Sequence, residues 1–389
     1  MVLRETADTA IPSDADHTRT RRLSRLVHTT VSKLTDADRR ILGLWACAHL
    51  GLAVLAWMSS WINGQRGIYN ALLGTYGQWD YAWYQNIAAH GYFSGQSFGS
   101  AERVFLPGDP VVLAAVHLFT RNWVIAGLLV SLVAGGIALV CIGRLGGERA
   151  ALYLLTAPAA MYLIVGYSES LFLALALPAW MAAKRRNWPL AALLAGLAGL
   201  VRVNGLFLIA ALLVAAATSE RGMQLRATAW ACVSLIGPAA YEVYLRTGTG
   251  SWAAWLDANK NDWNLRFVGT TQSLHNTWNM AFGHNLPPER AAMFQLEIGC
   301  MAVGVVLTIL LLWRCAWPEA TYVGLTFAAL GTSTFYQSVP RALLIAWPLY
   351  LLLSQVADRR PWVGHIYLWI CAPLAVVVAV YFFLGQWAL

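Results

Sequence analysis

Apolar residues fall into eleven blocks along the chain, at about 41–61, 123–143, 149–165, 167–183, 188–203, 204–218, 226–246, 292–314, 318–336, 340–356 and 362–384. Each is read as an apolar helix. A straight membrane span needs about 20 such residues, and several of these blocks are shorter. Short apolar helices pack inside large bundles or meet at broken spans. A further piece at 109–120 is too short to be a secure crossing. The pattern predicts an all-α polytopic bundle of about 11–12 apolar helices, with two large polar loops at about 62–122 and 247–291.

Composition agrees with that pattern. The 389 residues are 58% hydrophobic and 12% charged, with a mean hydropathy of +0.54, whereas a soluble domain carries about 25% charged residues. The chain from 41 to 389 is therefore expected to be one transmembrane domain. Residues 1–40 are polar and expected to be a disordered basic cytoplasmic tail. Arg19, Arg21, Arg22, Arg25 and Lys33 have no acid among them, and no short apolar core with a cleavage site follows. The net charge of +8 sits at segment ends, where it sets orientation and meets anionic membrane lipid rather than nucleic acid. The six cysteines lie in or beside apolar segments and form no close metal-ligand pair.

If 109–120 does not cross, the clusters Arg144/Arg149, Lys184-Arg185-Arg186, Arg221/Arg226, Arg314 and Arg359-Arg360 share the N-terminal, cytoplasmic side. The opposite face then receives both large loops and three short polar motifs: Gly166-Tyr167-Ser168-Glu169-Ser170, Arg202-Val203-Asn204-Gly205 and Gln337-Ser338-Val339-Pro340-Arg341. Charges at membrane depth are costly and usually functional.

Asp80, between Trp79 and Tyr81 in the first loop, is the candidate base on a substrate hydroxyl; an interfacial aromatic belt with a wet Asp is the plain alternative. Asp109 is either a second outer carboxylate or a turn residue beside Gly108 and Pro110. Glu102 and Arg103 read as an exposed pair, with Arg103 a possible helper at a phosphate. Glu169 caps a helix with Ser168, joins a site, or does both. Arg202 and Arg341 offer planar forks suited to phosphate, against the alternative of snorkelling to headgroups. Trp252, Trp255, Asp257, Lys260, Asp262, Trp263 and Arg266 in the second loop suit a carbohydrate, a lipid headgroup or an interfacial helix. His90 is either structural or a ligand. No Walker loop, His-x-x-x-His pair or Gly-x-Ser-x-Gly elbow is present, which argues against nucleotide chemistry in this chain.

Trp79-Asp80 with Ile87-Ala88-Ala89-His90-Gly91-Tyr92 resembles the first-loop signature of the PIG-V family, the GPI mannosyltransferase 2 group and its bacterial relatives. Gly166-Tyr167-Ser168-Glu169-Ser170-Leu171-Phe172, Arg202-Val203-Asn204-Gly205, the Trp252 to Trp263 block, and Ser338-Val339-Pro340-Arg341 with Pro348 resemble later blocks in family order. Where the family usually shows a Phe-Phe-Pro-Leu-type run, this chain has Val104-Phe105-Leu106-Pro107-Gly108-Asp109-Pro110. The resemblance implies a GT-C glycosyltransferase fold and a polyprenyl- or dolichyl-phosphate mannose donor, with a lipid or glycan acceptor and no cofactor or metal.

A lipid-phosphate sugar is already activated, so an enzyme must deprotonate the acceptor and stabilise the departing phosphate. Asp80 takes the first role in this reading, and Arg341, Arg202 and Arg103 the second. Trp79, Trp83, His90 and Asp109 from the first loop, with Glu169, Asn204, Trp255 and Trp263, complete the expected substrate-binding set. The alternative from another class is a polyprenyl-phosphate or lipid flippase with the same residues around its cavity.

Overall fold

The computed structural model describes residues 34–64 and 73–388; the basic run Arg19 to Lys33, and with it most of the expected tail, lies outside them. The protein is an all-α membrane protein. Its helices are α1 (Asp36–Ile62), α2 (Asp80–His90), α3 (Gly108–Thr120), α4 (Trp123–Gly146), α5 (Glu148–Leu155), α6 (Ser168–Lys184), α7 (Trp188–Val201), α8 (Asn204–Ala217) and α9 (Gln224–Val233). Then follow α10 (Ile236–Thr249), α11 (Ala254–Asn261), α12 (Thr270–Phe282), α13 (Pro288–Trp313), α14 (Trp317–Gly331), α15 (Val339–Ile345), α16 (Pro348–Arg359) and α17 (Pro361–Phe383). Among the described residues β structure is limited to an isolated bridge between Phe267 and Ser333.

Among the described residues four helices, α1, α4, α13 and α17, are long and apolar enough to cross a membrane. A fifth span arises if α15 and α16, bent by 67° at their junction, count as one. The expected 11–12 apolar helices included several short ones, and most apolar blocks do form helices too short to span alone; some blocks are also broken. The 226–246 block divides into α9 and α10 at Ser234-Leu235. The 149–165 block is α5 followed by a short 3₁₀ turn, Ala160–Leu163. The blocks 188–203 and 204–218 are separate short helices that meet at Arg202-Val203. α3, with 13 residues, reaches only about 20 Å at 1.5 Å per residue, short of a ~30 Å hydrocarbon layer.

Several boundaries follow from local chemistry. α1 begins before the apolar block because Thr35 and Asp38 form a reciprocal capping box, so 36–40 are helical rather than part of the tail. Asn122 caps α4 through the Ile125 N–H at 3.1 Å, and Asn187 caps α7 through the Leu190 N–H at 3.3 Å. Gly147, at φ +81°, supplies the left-handed turn between α4 and α5.

The bundle has two chemically distinct ends. At one, Arg40 pairs with Glu148, Arg144 with Asp38, Arg149 with Asp358, Lys184 with Glu319 and Arg186 with Glu220. These pairs join the start of α1, the end of α4, the start of α5, the ends of α6, α8 and α16, and the start of α14. At the other end α6 and α8 start, and α7, α14 and α17 finish. Between them lies a dry core in which the fully buried Trp347 stacks on Tyr322 with ring centroids 4.2 Å apart. In a variant with its native cysteines replaced, a cysteine at Ser94 is expected to react with an impermeant thiol reagent in intact cells, while one at Arg359 stays unlabelled. The opposite labelling would invert the orientation.

Candidate functional site

Four elements converge at the end opposite the ion-paired face. α6 opens after Gly166, held at φ +83°, and carries Ser168 and Glu169 in its first turn. Arg202 is the extended residue that separates α7 from α8 (φ −145°, ψ 150°), and this break turns its side chain away from the apolar interior. Asp80 begins α2 directly after Trp79, whose φ of +54° is unusual for a bulky residue. Arg341 lies in α15, which starts after Ser338 at φ +61°.

The four charges form one alternating chain. Arg341 donates from Nη1 to Asp80 Oδ2 at 2.6 Å and from Nε to Glu169 Oε1 at 2.6 Å. Arg202 Nη1 reaches the same Glu169 oxygen at 2.9 Å and donates to Ser168 Oγ at 2.8 Å. Glu169 is fully buried and Arg341 5% exposed. A carboxylate or guanidinium at that depth persists only when paired and hydrogen-bonded. The rings of Tyr162 and Tyr167 cover the Arg341 guanidinium, with centroids 4.7 and 5.0 Å from its central carbon, adding cation–π attraction. Tyr84 Oη lies 3.0 Å from Ser168 Oγ. Burial, and then the neighbouring Asp80 carboxylate, hold its phenol well above the ordinary range, so it stays protonated.

A cavity of about 510 Å³ opens over this chain. Asp80, Ser168, Arg202 and Arg341 line its polar end. One wall is aromatic: Trp83 lies 5.6 Å from Trp263 and 5.9 Å from Phe105, centroid to centroid. Here the two large loops dock on each other. Trp263 Nε1 donates to the Ala101 carbonyl at 3.0 Å and Trp255 Nε1 to that of Val104 at 3.3 Å, so both indoles grip the 3₁₀ helix Ser100–Val104. Val203 and Phe207 from α8 and Leu330 from α14 form an apolar side. The α2 wall is keyed into the bundle by Tyr81, whose hydroxyl donates to the Trp123 carbonyl. A Cβ on Gly127 would sit 2.6 Å from that ring, and one on Gly166 would sit 3.0 Å from it.

Of the residues singled out in the sequence, Trp79, Asp80, Trp83, Arg202, Asn204, Trp255, Trp263 and Arg341 line this cavity. Glu169 lies buried beneath it and reaches it only through the two arginines. Asp109 does not line it. It is buried in the first turn of α3 rather than in a turn before a helix. α3 abuts the end of α7 so closely that a Cβ on Gly108 would sit 2.8 Å from the Leu200 carbonyl oxygen. Arg103 also lies off the cavity, with its guanidinium 5.8 Å from the Phe93 ring. Its neighbour Glu102 is fully buried and accepts from Asn86 Nδ2 at 2.6 Å, so the two are no exposed pair. His90 is exposed in the last turn of α2 and does not line the cavity.

The sequence reading passed over Tyr84, Tyr162 and Ser168 as site residues, and also Glu297. Glu297 is a fully buried acid inside α13, whose two oxygens accept the Ser338 and Val339 N–H groups at 2.9 and 2.7 Å. A lone acid within the apolar block 292–314 was the available signal for it. No ligand-capable group of three or more His, Cys, Asp or Glu occurs among the described residues.

No protein-family model matches the chain, and no curated protein or solved structure matches it.

Removing the shared acid tests the ion chain. Glu169→Gln leaves the buried Arg341 and the partly buried Arg202 facing a neutral amide, and is expected to destabilise the fold by about 3–5 kcal/mol in detergent unfolding. Glu148→Gln, at the exposed pair with Arg40, should change little. Equal effects from the two substitutions would contradict the central place given to Glu169.

Proposed function

We propose that the chain is a GT-C-type membrane glycosyltransferase, similar to the PIG-V family. In this reading it moves mannose from polyprenyl- or dolichyl-phosphate mannose to a hydroxyl of a lipid-linked or glycan acceptor on the extracytoplasmic face. The observation that carries the reading is the meeting of the Asp80 carboxylate and the Arg202 guanidinium in one cavity, between an aromatic wall and an apolar side.

The chemistry divides between those two groups. The acceptor oxygen attacks the sugar's anomeric carbon while its proton passes to Asp80, and the bond from that carbon to the phosphate oxygen breaks with its electron pair on the phosphate. Arg341 already engages Oδ2 of Asp80, so the proton goes to Oδ1. In-line attack inverts a β-linked donor to an α-mannoside. In the sequence Arg341, Arg202 and Arg103 all suit the phosphate; the geometry favours Arg202. Arg341 is committed to two carboxylates and roofed by two tyrosines, whereas Arg202 lines the cavity with its side chain 16% exposed. Its Nε is buried with no hydrogen-bond partner among the described residues.

Depth supports a lipid-borne substrate. From Lys184 at the ion-paired end, α6 back to Glu169 rises about 22 Å; with Lys184 at the inner boundary of a ~30 Å hydrocarbon layer, the charged chain falls in its outer third in this reading. The residues that line the cavity include none from the ion-paired end, and below it Trp347 stacks on Tyr322 in the buried core. That supports a one-sided enzyme over a flippase.

Purified protein incubated with polyprenyl-phosphate mannose and a membrane lipid extract is expected to transfer sugar. Asp80→Asn keeps the shape and removes the base, and should slow transfer by about 10²–10⁴-fold. Wild-type turnover in that variant would sink the assignment, and movement of intact donor across vesicles without transfer would favour the flippase. Arg202→Lys replaces a planar fork with a point charge. Donor saturation should weaken markedly in Arg202→Lys and stay unchanged in Arg359→Lys at the far end; identical saturation curves would remove Arg202 from the phosphate.

A further inference from the structure

We propose that Glu297, which does not itself line the cavity, is the positioning residue that sets Arg341 and through it the base Asp80; this rests on the transfer reading above. α15 has only seven residues, too few for a helix to hold itself in place. Its continuation into α16 is broken by a 67° bend before Pro348. Its start is abrupt as well. Ser338 adopts φ +61°, and Pro340 has no N–H to offer.

Two consecutive N–H groups, those of Ser338 and Val339, therefore need acceptors at a buried helix end. Glu297 supplies both from one carboxylate, Oε1 to Ser338 at 2.9 Å and Oε2 to Val339 at 2.7 Å. An acid fully buried within the long span α13 is costly, and these two bonds lock the backbone two residues before Arg341. The placement matters because Arg341 must reach two acids at once, each at 2.6 Å. A small rotation of α15 breaks one of those contacts. The freed guanidinium would then compete with Arg202 for an anion in the cavity, and Asp80 would lose the group that holds its Oδ2. Glu297 thus acts without touching the reacting atoms.

The test uses the full chain in detergent, with Glu297→Gln, Arg341→Lys and the double variant. Two readouts are taken: transfer from polyprenyl-phosphate mannose, and backbone hydrogen–deuterium exchange of the 337–345 peptide. Glu297→Gln is expected to lower kcat ~10–100-fold with the donor KM within about twofold, the scale of a misplaced group. The double variant should be no slower than Arg341→Lys alone, since both act on one interaction. Exchange at Ser338 and Val339 should quicken while α16 and α17 keep their protection. Glu297→Asp, which retains the charge on a shorter arm, should fall between wild type and Glu297→Gln and guards against simple misfolding. Losses that multiply in the double variant, or unchanged exchange at Ser338 and Val339, would overturn the proposal. A wild-type protein that transfers no sugar removes the transferase reading, while the exchange measurement still decides whether Glu297 holds α15.

Discussion

One carboxylate oxygen, Oε1 of Glu169, accepts from two arginines carried by different elements. The cavity end of the bundle is arranged around that contact. Arg341 comes from a half-helix near the end of the chain, Arg202 from the break between α7 and α8, and Asp80 from the first loop. The four side chains carry no net charge between them, so they can lie at membrane depth. None of the buried members can be removed singly without stranding a charge. A site of this kind is rigid by necessity, because each bond is held in place by the next.

The irregularities in the helices follow from the same constraint. A continuous span through 188–218 would bury Arg202 among apolar side chains; the break at Arg202-Val203 lets it meet Ser168 and Glu169 instead. The bend between α15 and α16 does the same for Arg341. The positive φ values of Trp79 and Ser338, at the starts of the helices carrying Asp80 and Arg341, place local backbone strain beside the ion pair. Polar chemistry has thus been bought with shortened helices, and the long spans α1, α4, α13 and α17 supply the continuous apolar length that the short ones lack.

Much of this was legible in the sequence, and the reasons for what was not are physical. Apolar composition and block spacing gave the all-α membrane class. The short polar motifs named Asp80, Glu169, Arg202 and Arg341. Their partners were hidden, since Asp80 and Arg341 are 261 positions apart and no local pattern encodes a pairing at that range. Helix continuity was overestimated for a related reason. An unbroken apolar run such as 226–246 does not report whether its backbone bends, because apolar side chains can pack on either side of a break. Asp109 and Glu102 were misjudged because polar residues in a loop suggest exposure, whereas this loop folds back onto the bundle and buries them. Glu297 was missed because a single acid surrounded by apolar residues has no visible partner; its partners are backbone N–H groups on another helix.

The anchoring of Tyr81 has a mechanical consequence. Its ring fills the space that side chains at Gly127 and Gly166 would occupy, and its hydroxyl is fixed to the backbone of α4. The helix bearing Asp80 is therefore keyed into the bundle, against α4 and the turn before α6. The segment from α11 to Trp263 is fastened differently, to the first loop, through two indole hydrogen bonds and the edges of aromatic rings, that of Trp83 on α2 among them. The carboxylate thus rides on the element keyed into the bundle, and the second loop completes the cavity by resting on it.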